Sequence, residues 1–274
     1  IHTCYSQTGA ATGRLSSNNP NLQNIPIRDE NGRRIRRAFK SRPGFQFISA
    51  DYSQIELVIL AHMSGDEALS AAFRSSLDVH AQTAALLYGI ETADVTPKQR
   101  RMAKAVNFGV MYGMSPFRLA NELRISRREA RHFIDTYFIT YSGIRAFVDK
   151  TVELAEQDGG VRTMDGRFRP LPGINSRNKV EKVAFERAAV NSRIQGTAAD
   201  IMKMAMLAVY NVLKERRLKA KILLQVHDEL LIEVPTAEIQ IVADLVKSTM
   251  EGVSRLSVPL RAEVEIGSSW GDIH

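Results

Sequence analysis

The chain has 274 residues, long enough for one large domain or two modest ones, and its 44% hydrophobic and 24% charged residues exclude a disordered or fibrous protein. Its 37 lysines and arginines exceed 30 aspartates and glutamates, which gives a formal charge of +7 and a pI of about 9.6. A basic chain suits nucleic acid or an anionic membrane as its partner, but this charge also suits an ordinary soluble surface, so composition alone leaves the partner open.

The first two thirds of the chain predict one strand followed by a long run of helices. Residues 8–37 are rich in Gly, Ser, Asn, Pro and Arg and predict loops and turns. Alternating apolar residues predict a strand over 45–51, and dense apolar positions predict a helix over 53–63. Residues 66–158 predict helices almost throughout, and helical periodicity returns over 179–217.

The last third predicts a β-hairpin. Two stretches rich in Leu, Ile and Val within residues 221–234 flank the polar segment His227-Asp228-Glu229, which predicts acidic residues at the hairpin tip. A helix over 237–251 and a strand over 260–266 follow. Strands near both ends of the chain with helices between them predict an α+β fold, in which a helical insertion interrupts a sheet-bearing domain.

Two aspartates lie where predicted strands stop. Asp51 ends the first strand, and Asp228 lies at the hairpin tip, so only the fold could bring them together. Paired carboxylates on rigid strands suit magnesium ions, which prefer oxygen ligands. The alternative is that each aspartate is simply a turn residue.

A second constellation lies on one predicted helix. Its members recur every four residues and therefore project from nearly one face: they are Arg100, Lys104, Phe108 and Tyr112. The cationic end suits the phosphates of a nucleotide, and the aromatic end suits its base. The alternative is a helix with a solvated basic end and a buried aromatic end. Gly109 and Gly113 within this helix predict close packing against it.

Missing motifs exclude several other chemistries. The single cysteine, Cys4, excludes an internal disulfide and a zinc site built from cysteines. No P-loop, dinucleotide-binding glycine motif, zinc-protease motif or serine-hydrolase elbow occurs. His80 and His227 lack partners at metal-ligand spacing, so the residues alone favour a structural role. No apolar run approaches the roughly 20 residues of a membrane-spanning helix, and we expect no membrane contact.

Five segments resemble, in chain order, motifs of the family A DNA polymerases. The first, second and third polymerase motifs correspond to Asp51-Tyr-Ser-Gln-Ile-Glu-Leu57, to Arg100–Gly113 and to Gln225-Val-His-Asp-Glu229. The template- and primer-contacting segment corresponds to Thr12–Ser17 with Pro20–Pro26, and Gln195-Gly-Thr-Ala-Ala-Asp200 also matches. The order and spacing of these segments resemble the palm and fingers of that family from end to end.

The resemblance implies the polymerase right-hand fold, an α+β architecture with an antiparallel palm sheet and helical fingers. It assigns residues 1–64 to the first part of the palm, 65–178 to the fingers and 179–274 to the second part of the palm. The thumb and exonuclease regions of the family precede the point where this chain begins. We therefore expect the thumb to be absent and DNA grip to depend on upstream regions of the same gene product or on a separate chain.

The resemblance also implies an activity and its cofactors. The chain is expected to be the catalytic fragment of a template-directed DNA polymerase, which adds deoxynucleotides to a primer 3′ end and releases pyrophosphate. Asp51 and Asp228 would hold two Mg²⁺ ions, for which Mn²⁺ is expected to substitute, and Glu229 would support them. Lys104 is expected to protonate the pyrophosphate, and Glu56 to crowd the sugar 2′ position. The partners are primer-template DNA and deoxynucleoside triphosphates, and the expected location is cytoplasmic, with an organellar origin left open.

Further binding residues follow from the same resemblance. The incoming nucleotide is expected to contact Arg100, Lys104, Phe108, Tyr112, Glu56, His80 and Gln54. The DNA is expected to contact Arg14, Asn21, Gln23, Arg187, Asn191, Gln195 and His227. Uncharged amide donors suit the minor groove, where acceptors recur at every base pair and geometry can be checked without reading sequence.

Two rival functions stay open from the sequence. A single-subunit RNA polymerase of related fold is opposed by Glu56, and comparing deoxynucleotide with ribonucleotide incorporation would decide. A non-catalytic DNA-binding fragment is opposed by the intact Asp51 and Asp228, and an extension assay would decide.

Overall fold

Four strands from distant parts of the sequence form one antiparallel sheet. The computed structural model describes residues 1–27 and 29–273. The strands of this sheet are β3 (Phe45–Tyr52), β6 (Lys221–Val226), β7 (Glu229–Pro235) and β8 (Ala262–Gly267). Their order is β6-β7-β3-β8, so β3, from the first part of the chain, lies between β7 and β8, from its last part. Two further sheets are short antiparallel pairs, β1 (Cys4–Ser6) with β2 (Ser16–Asn18) and β4 (Gly160–Arg162) with β5 (Phe168–Pro170).

Helices make up most of the described residues. They are α1 (Glu30–Ala38), α2 (Ile55–Ser64), α3 (Glu67–Arg74), α4 (Val79–Tyr88), α5 (Pro97–Met111), α6 (Pro116–Leu123), α7 (Arg127–Thr140), α8 (Ser142–Asp158), α9 (Lys179–Glu215) and α10 (Ile239–Gly252). No helix in the described ranges is long and apolar enough to cross a membrane.

The chain divides into two compact units. Unit 1 comprises residues 1–55, 195–256 and 260–274, and unit 2 comprises residues 56–194 and 257–259. Unit 1 contains the four-stranded sheet, whereas unit 2 is mainly helical. The mixed α+β architecture with an antiparallel sheet is therefore confirmed.

The core of unit 1 lies along the sheet. Strand β7 is buried along almost its whole length, and β3 and β6 pair with its two edges. Trp270 is completely buried among Phe47, Val226, Leu231 and Ile273. The rigid sheet holds in place the turns at its ends, which carry several of the predicted site residues.

Most predicted elements are confirmed, although their observed ends differ from the predicted ends by a few residues. The predicted strand over 45–51, the helical block over 66–158 and the helix over 179–217 correspond to β3, to α3 through α8, and to α9. The predicted hairpin is present, but Glu229 begins strand β7 and only His227 and Asp228 form the turn.

The prediction of loops and turns over 8–37 was wrong at its end, where α1 forms. Asp29 begins this helix by accepting a hydrogen bond from the Gly32 backbone N–H at 2.7 Å. The buried positions of α1 are Gly32 and Arg36, whereas Ile35 is about half exposed. Because the buried face contains no aliphatic residue, no apolar periodicity marks the helix in the sequence.

Candidate active site

In unit 1, neighbouring strands bring two predicted carboxylates to one end of the sheet. Asp51 lies near the end of β3 and pairs in register with Glu229 of β7, and Asp228 directly precedes β7. The backbone N–H of Tyr52 donates to the Asp228 carbonyl oxygen at 3.1 Å, which ties the turn to β3. Asp51 is exposed between two buried neighbours on its strand, as the alternation of side chains in a strand requires.

The turn that carries Asp228 is held in a restrained conformation. His227 has a φ of +53°, in the left-handed region that few residues other than glycine and asparagine adopt. The side-chain amide of Gln225 donates to the His227 carbonyl oxygen. Gln225 is in turn bound by the Tyr5 hydroxyl, which donates to its carbonyl at 2.8 Å. The surroundings therefore fix the direction in which the hairpin turn presents Asp228.

The electrostatic balance at Asp228 suits a cation. Burial raises the pKa of this carboxyl, and Arg14 and His227 act against that rise. A guanidinium nitrogen of Arg14 lies 3.7 Å from the Asp228 carboxylate. Because desolvation penalises the charged carboxylate, a bound positive ion would stabilise it.

The donor set at this end of the sheet fits a hard divalent cation. Asp51, Asp228 and Glu229 line an open cavity of about 570 Å³ together with His227 and Gln23. Within residues 1–27 and 29–273, no group of three or more His, Cys, Asp or Glu side chains is arranged to hold a metal by itself. Mg²⁺ is commonly bound by only one or two carboxylates, with substrate phosphates and water as its other ligands. Asp51 and Asp228 provide such a pair.

A buried polar cluster beside these carboxylates was not found by sequence reasoning. The Glu229 carboxylate accepts from the Ser49 hydroxyl at 2.8 Å and from the Trp270 indole N–H at 3.4 Å. The Arg36 guanidinium stacks over the Trp270 ring at 4.2 Å and donates to the Ile25 carbonyl at 3.2 Å. Arg36 was missed because it belongs to the unpredicted helix α1. The single tryptophan of the chain, Trp270, was the one sequence feature that could have pointed to this buried cluster.

Arg36 is an unusual residue for such a position. Only 3% of it is exposed, and burial lowers its pKa while the charge of Glu229 opposes that change. Its Nε and Nη1 atoms have no hydrogen-bond partner among the described residues. The cation is therefore retained in the interior by Glu229 and by the aromatic face of Trp270.

In unit 2, helix α5 presents the predicted nucleotide-binding face. The helix begins with a capping box between Thr96 and Gln99, and Pro97 occupies its first position. At its exposed cationic end, the Arg100 Nε donates to an Asp78 carboxylate oxygen at 2.5 Å. Burial alone would raise the pKa of Asp78, but the bond from Arg100 and two backbone N–H donors lower it.

The aromatic end of the face is held by side-chain contacts within unit 2. The rings of Phe108 and Tyr112 are stacked, with centroids 6.5 Å apart and planes 21° apart. The Tyr112 hydroxyl donates to the carboxylate of Glu56, which is buried. The predicted interior position of Gly113 was wrong, because α5 ends at Met111 and Gly113 adopts a left-handed φ of +64° beyond it.

The close packing predicted at the two glycines is confirmed. A Cβ atom at Gly109 would lie 3.2 Å from the Met114 sulfur. A Cβ atom at Gly113 would lie 2.8 Å from Cγ of Arg187. The end of α5 therefore leaves room for the stem of Arg187 only because residue 113 has no side chain.

His80 lies beside this face and is almost completely buried. Its ring is 5.9 Å from that of Phe108, and its Nδ1 lies 2.9 Å from the side-chain amide nitrogen of Asn107. Burial lowers the pKa of His80 to about 4; the charges of Lys104 and Arg100 also lower it, whereas the Asp78 carboxylate opposes them. The imidazole is neutral at physiological pH. Asn107 was not identified from the sequence, because it lies outside the four-residue repeat that marks Phe108 and is not a glycine like Gly109.

The residues predicted to contact DNA have varied environments. Arg187, Asn191 and Gln195 recur every four residues along α9 and so follow one face of the helix. In unit 1, the Gln23 amide donates to the carbonyl and side-chain oxygens of Gln225 at 3.2 and 3.1 Å, so it is engaged within the protein.

Two other predicted contacts lie at surface turns of unit 1. Asn21 is exposed and accepts from the Gln23 backbone N–H at 3.0 Å. Gln54, predicted to contact the nucleotide, is exposed at a φ of +52° between β3 and α2.

Comparison with known proteins identifies what the chain is similar to. The family model described as "DNA polymerase family A" matches residues 1–272 of the chain. The chain is 52% identical over 274 residues to a DNA polymerase I of Treponema pallidum, covering 28% of that protein. It is 53% identical over 274 residues to a DNA polymerase I of Chloroflexus aurantiacus, covering 29% of it, and 49% identical over 270 residues to the thermostable DNA polymerase I of Thermus aquaticus, covering 32%. All or nearly all of the chain is aligned in each case, and it spans less than a third of these relatives.

A solved structure is similar over the whole chain. It is the POL domain of Pol1 from M. smegmatis, in complex with DNA primer-template and dNTP. The TM-score is 0.96 at 46% identity, and the match covers 100% of this chain and 48% of that one.

Proposed function

Because the chain belongs to DNA polymerase family A, we propose that it is the catalytic part of a template-directed DNA polymerase that adds deoxynucleotides to a primer 3′ end. The observation that carries the proposal is the pair of aspartates at one end of the sheet, Asp51 on β3 and Asp228 in the turn that leads into the adjacent strand β7. The primer-template and dNTP held by the similar POL domain support the same substrates here.

The proposal includes an architecture. The palm would comprise residues 1–64 and 179–274, and the fingers residues 65–178, as the resemblance implies. The compact units divide instead at 55/56 and 194/195. The thumb and any exonuclease would belong to regions outside this chain, in keeping with the small share of each relative that the chain covers.

The carboxylates of unit 1 would hold the cofactor. When bound, two Mg²⁺ ions, or Mn²⁺ in their place, supply Lewis-acid activation of the primer hydroxyl and charge neutralisation at the pyrophosphate. Asp51 and Asp228 would hold them through carboxylate oxygen atoms, which hard cations prefer. Glu229 is oriented by Ser49 and Trp270 and supplies nearby negative charge.

The residues on and around α5 would bind the nucleotide. Arg100 and Lys104 bind the triphosphate by charge, and Lys104 donates the proton that the leaving pyrophosphate takes up. Phe108 and Tyr112 pack against the sugar and base. Tyr112 also fixes the Glu56 carboxylate, which excludes ribonucleotides by crowding the 2′ position.

Primer extension tests the proposal. A labelled primer-template with one defined template base is incubated with the 274-residue chain at low salt and high DNA concentration with Mg²⁺, and each dNTP is supplied separately. We expect extension only with the complementary dNTP and much weaker extension with the matching ribonucleotide. The Asp228→Asn variant is expected to abolish extension, because a neutral amide cannot replace a metal-binding carboxylate.

A matched variant separates this effect from general damage. Asp149→Asn removes an exposed carboxylate that pairs with Arg145 within α8, and it should extend the primer as the parent does. Extension that survives Asp228→Asn would contradict the proposal. DNA binding without any extension would favour the non-catalytic fragment, and preference for ribonucleotides would favour the RNA polymerase.

A further inference from the structure

A chain of buried hydrogen bonds in unit 2 ends on the imidazole of His80. His80, Thr83, Asn107 and Tyr141 are each at most 2% exposed. The Thr83 hydroxyl lies 3.2 Å from the Tyr141 hydroxyl and 3.1 Å from the Asn107 side-chain oxygen. The Asn107 amide nitrogen then lies 2.9 Å from Nδ1 of His80. These contacts connect α4, α5 and the start of α8.

The donor and acceptor of each of these hydrogen bonds follow from which groups carry protons. An amide nitrogen carries two protons and cannot accept a hydrogen bond, so Nδ1 of His80 must be the acceptor. The Asn107 oxygen lies 3.1 Å from the Thr83 hydroxyl, whose single proton is shared with the Val79 carbonyl oxygen at 2.8 Å, and the Tyr141 hydroxyl can donate a hydrogen bond to Thr83. A neutral imidazole that accepts at Nδ1 carries its proton at Nε2.

We propose that Asn107 is a positioning residue that holds His80 in the Nε2–H tautomer, so that the ring offers a hydrogen-bond donor to a phosphate oxygen of the nucleotide. The phosphate part of this inference rests on the proposed function. Phosphate oxygens only accept, and the opposite tautomer would present them with a lone pair at Nε2.

The surroundings of the ring agree with a neutral donor. Lys104 and Arg100 act on His80 from the α5 face, Asp78 from the start of its own helix, and Phe108 packs beside the ring. The two nearby cations disfavour a third positive charge, and burial disfavours it further. His80 would therefore add direction to phosphate binding, whereas Arg100 and Lys104 add charge.

Nitrogen NMR of the free chain reads the tautomer directly and needs no nucleotide. Two-bond ¹H–¹⁵N correlation spectra are recorded at pH 7, and the His80 ring is identified by its loss in His80→Gln. We expect Nδ1 to be unprotonated and Nε2 protonated. In Asn107→Asp, the carboxylate should accept a hydrogen bond from Nδ1–H, so Nδ1 becomes protonated. In Asn107→Leu, the fixed preference should be lost, whereas Asn121→Leu, at an exposed asparagine of α6, should leave it unchanged.

Nucleotide affinity tests the second half of the proposal. The dissociation constant of a complementary dNTP is measured with primer-template for the parent, His80→Gln, Asn107→Leu and the double variant. We expect each single variant to weaken binding about tenfold, and the double variant to weaken it little further, because both act through one hydrogen bond.

The outcomes are distinguishable. A parent ring protonated at Nδ1 overturns the proposal whether or not the variants fold, because the parent spectrum alone decides it. An Nε2–H tautomer that persists unchanged in folded Asn107→Leu overturns it as well. Additive losses of affinity in the double variant also overturn it. A chain with the expected tautomer that binds no dNTP contradicts the proposed function and leaves the tautomer result standing.

Discussion

Arg36 and Arg37 are consecutive residues of α1 with opposite environments. Arg36 is buried against Trp270 and near Glu229, whereas the Arg37 side chain is about half exposed and lies 3.9 Å from Glu30. The two arginines therefore differ in how strongly desolvation opposes their positive charge and in how much a nearby carboxylate stabilises it. Burial makes the loss of one partner of a charge pair costly, and exposure makes it cheap.

We expect Arg36→Met to lower the free energy of unfolding by about 2–4 kcal/mol, because it leaves Glu229 buried without its cation. Arg37→Met should change it by no more than about 0.5 kcal/mol. Urea unfolding of both variants measures the difference. Equal effects would mean that the buried cation contributes nothing specific.

His80 makes the stability of the chain depend on pH. Its pKa in the folded chain is about 4, below the ordinary value of about 6.5 that it regains on unfolding. Between these values the unfolded chain binds a proton that the folded chain does not, so stability falls as the pH decreases from about 6.5 to 4. A difference of this size corresponds to about 3 kcal/mol at most.

We expect His80→Gln to lose this part of the pH dependence. Chemical unfolding of the parent and the variant at pH 4, 5, 6 and 7 measures it. The difference in unfolding free energy between parent and variant should shrink as the pH falls. A constant difference across this range would show that His80 is not kept neutral by the fold.

At the scale of elements, the end of α5 depends on a glycine. Gly113 and Gly89 both follow a helix and share a φ of +64°. They differ in their neighbours, because a Cβ atom at Gly89 would meet nothing within 4 Å, whereas one at Gly113 would lie 2.8 Å from Arg187. The pair separates the cost of backbone conformation from the cost of close packing.

We expect Gly89→Ala to cost about 1 kcal/mol of unfolding free energy, from the left-handed conformation alone. Gly113→Ala should cost about 1–2 kcal/mol more, since the Arg187 stem must also shift. Thermal and urea unfolding of the two variants provide the comparison. If Gly89→Ala proves as costly as Gly113→Ala, the packing contribution at Gly113 is negligible.

The elements differ in how far local sequence predicts them. Strand β3 and helix α9 are marked by apolar periodicity, which depends only on nearby residues. Helix α1 has no such mark, because Gly32 and Arg36 form its buried side. The end of α5 was also misjudged, although its mark is local: Gly113 adopts a left-handed conformation just beyond the helix, where the Met114 backbone N–H donates to the Gly109 carbonyl oxygen at 2.7 Å.

At the scale of the whole chain, the charge of +7 should dominate DNA binding. Each phosphate neutralised releases condensed counterions, so the logarithm of affinity falls linearly with the logarithm of salt concentration. With about three such contacts, raising salt from roughly 50 to 200 mM should weaken primer-template binding by roughly 10- to 100-fold.

We expect Arg187→Gln to reduce the magnitude of this salt slope by about 0.9, as the loss of one phosphate contact requires. Arg187→Lys should retain the slope, and Arg131→Gln, at an exposed arginine of α7, should leave it unchanged. Fluorescence anisotropy titrations at several salt concentrations measure the slopes. An affinity independent of salt would contradict a charge-driven interface.

The sequence by itself determined the family and the identity of the two strand-end aspartates, because motif spacing and apolar periodicity are local properties of the chain. It did not determine that β7 lies between β6 and β3 and so sets Glu229 opposite Asp51. It also did not reveal that Arg36 and Asn107 support Glu229 and His80. Only the tertiary structure decided these points, because strand register and the pairing of buried polar groups depend on residues that meet across the folded chain and leave no periodic mark in the sequence.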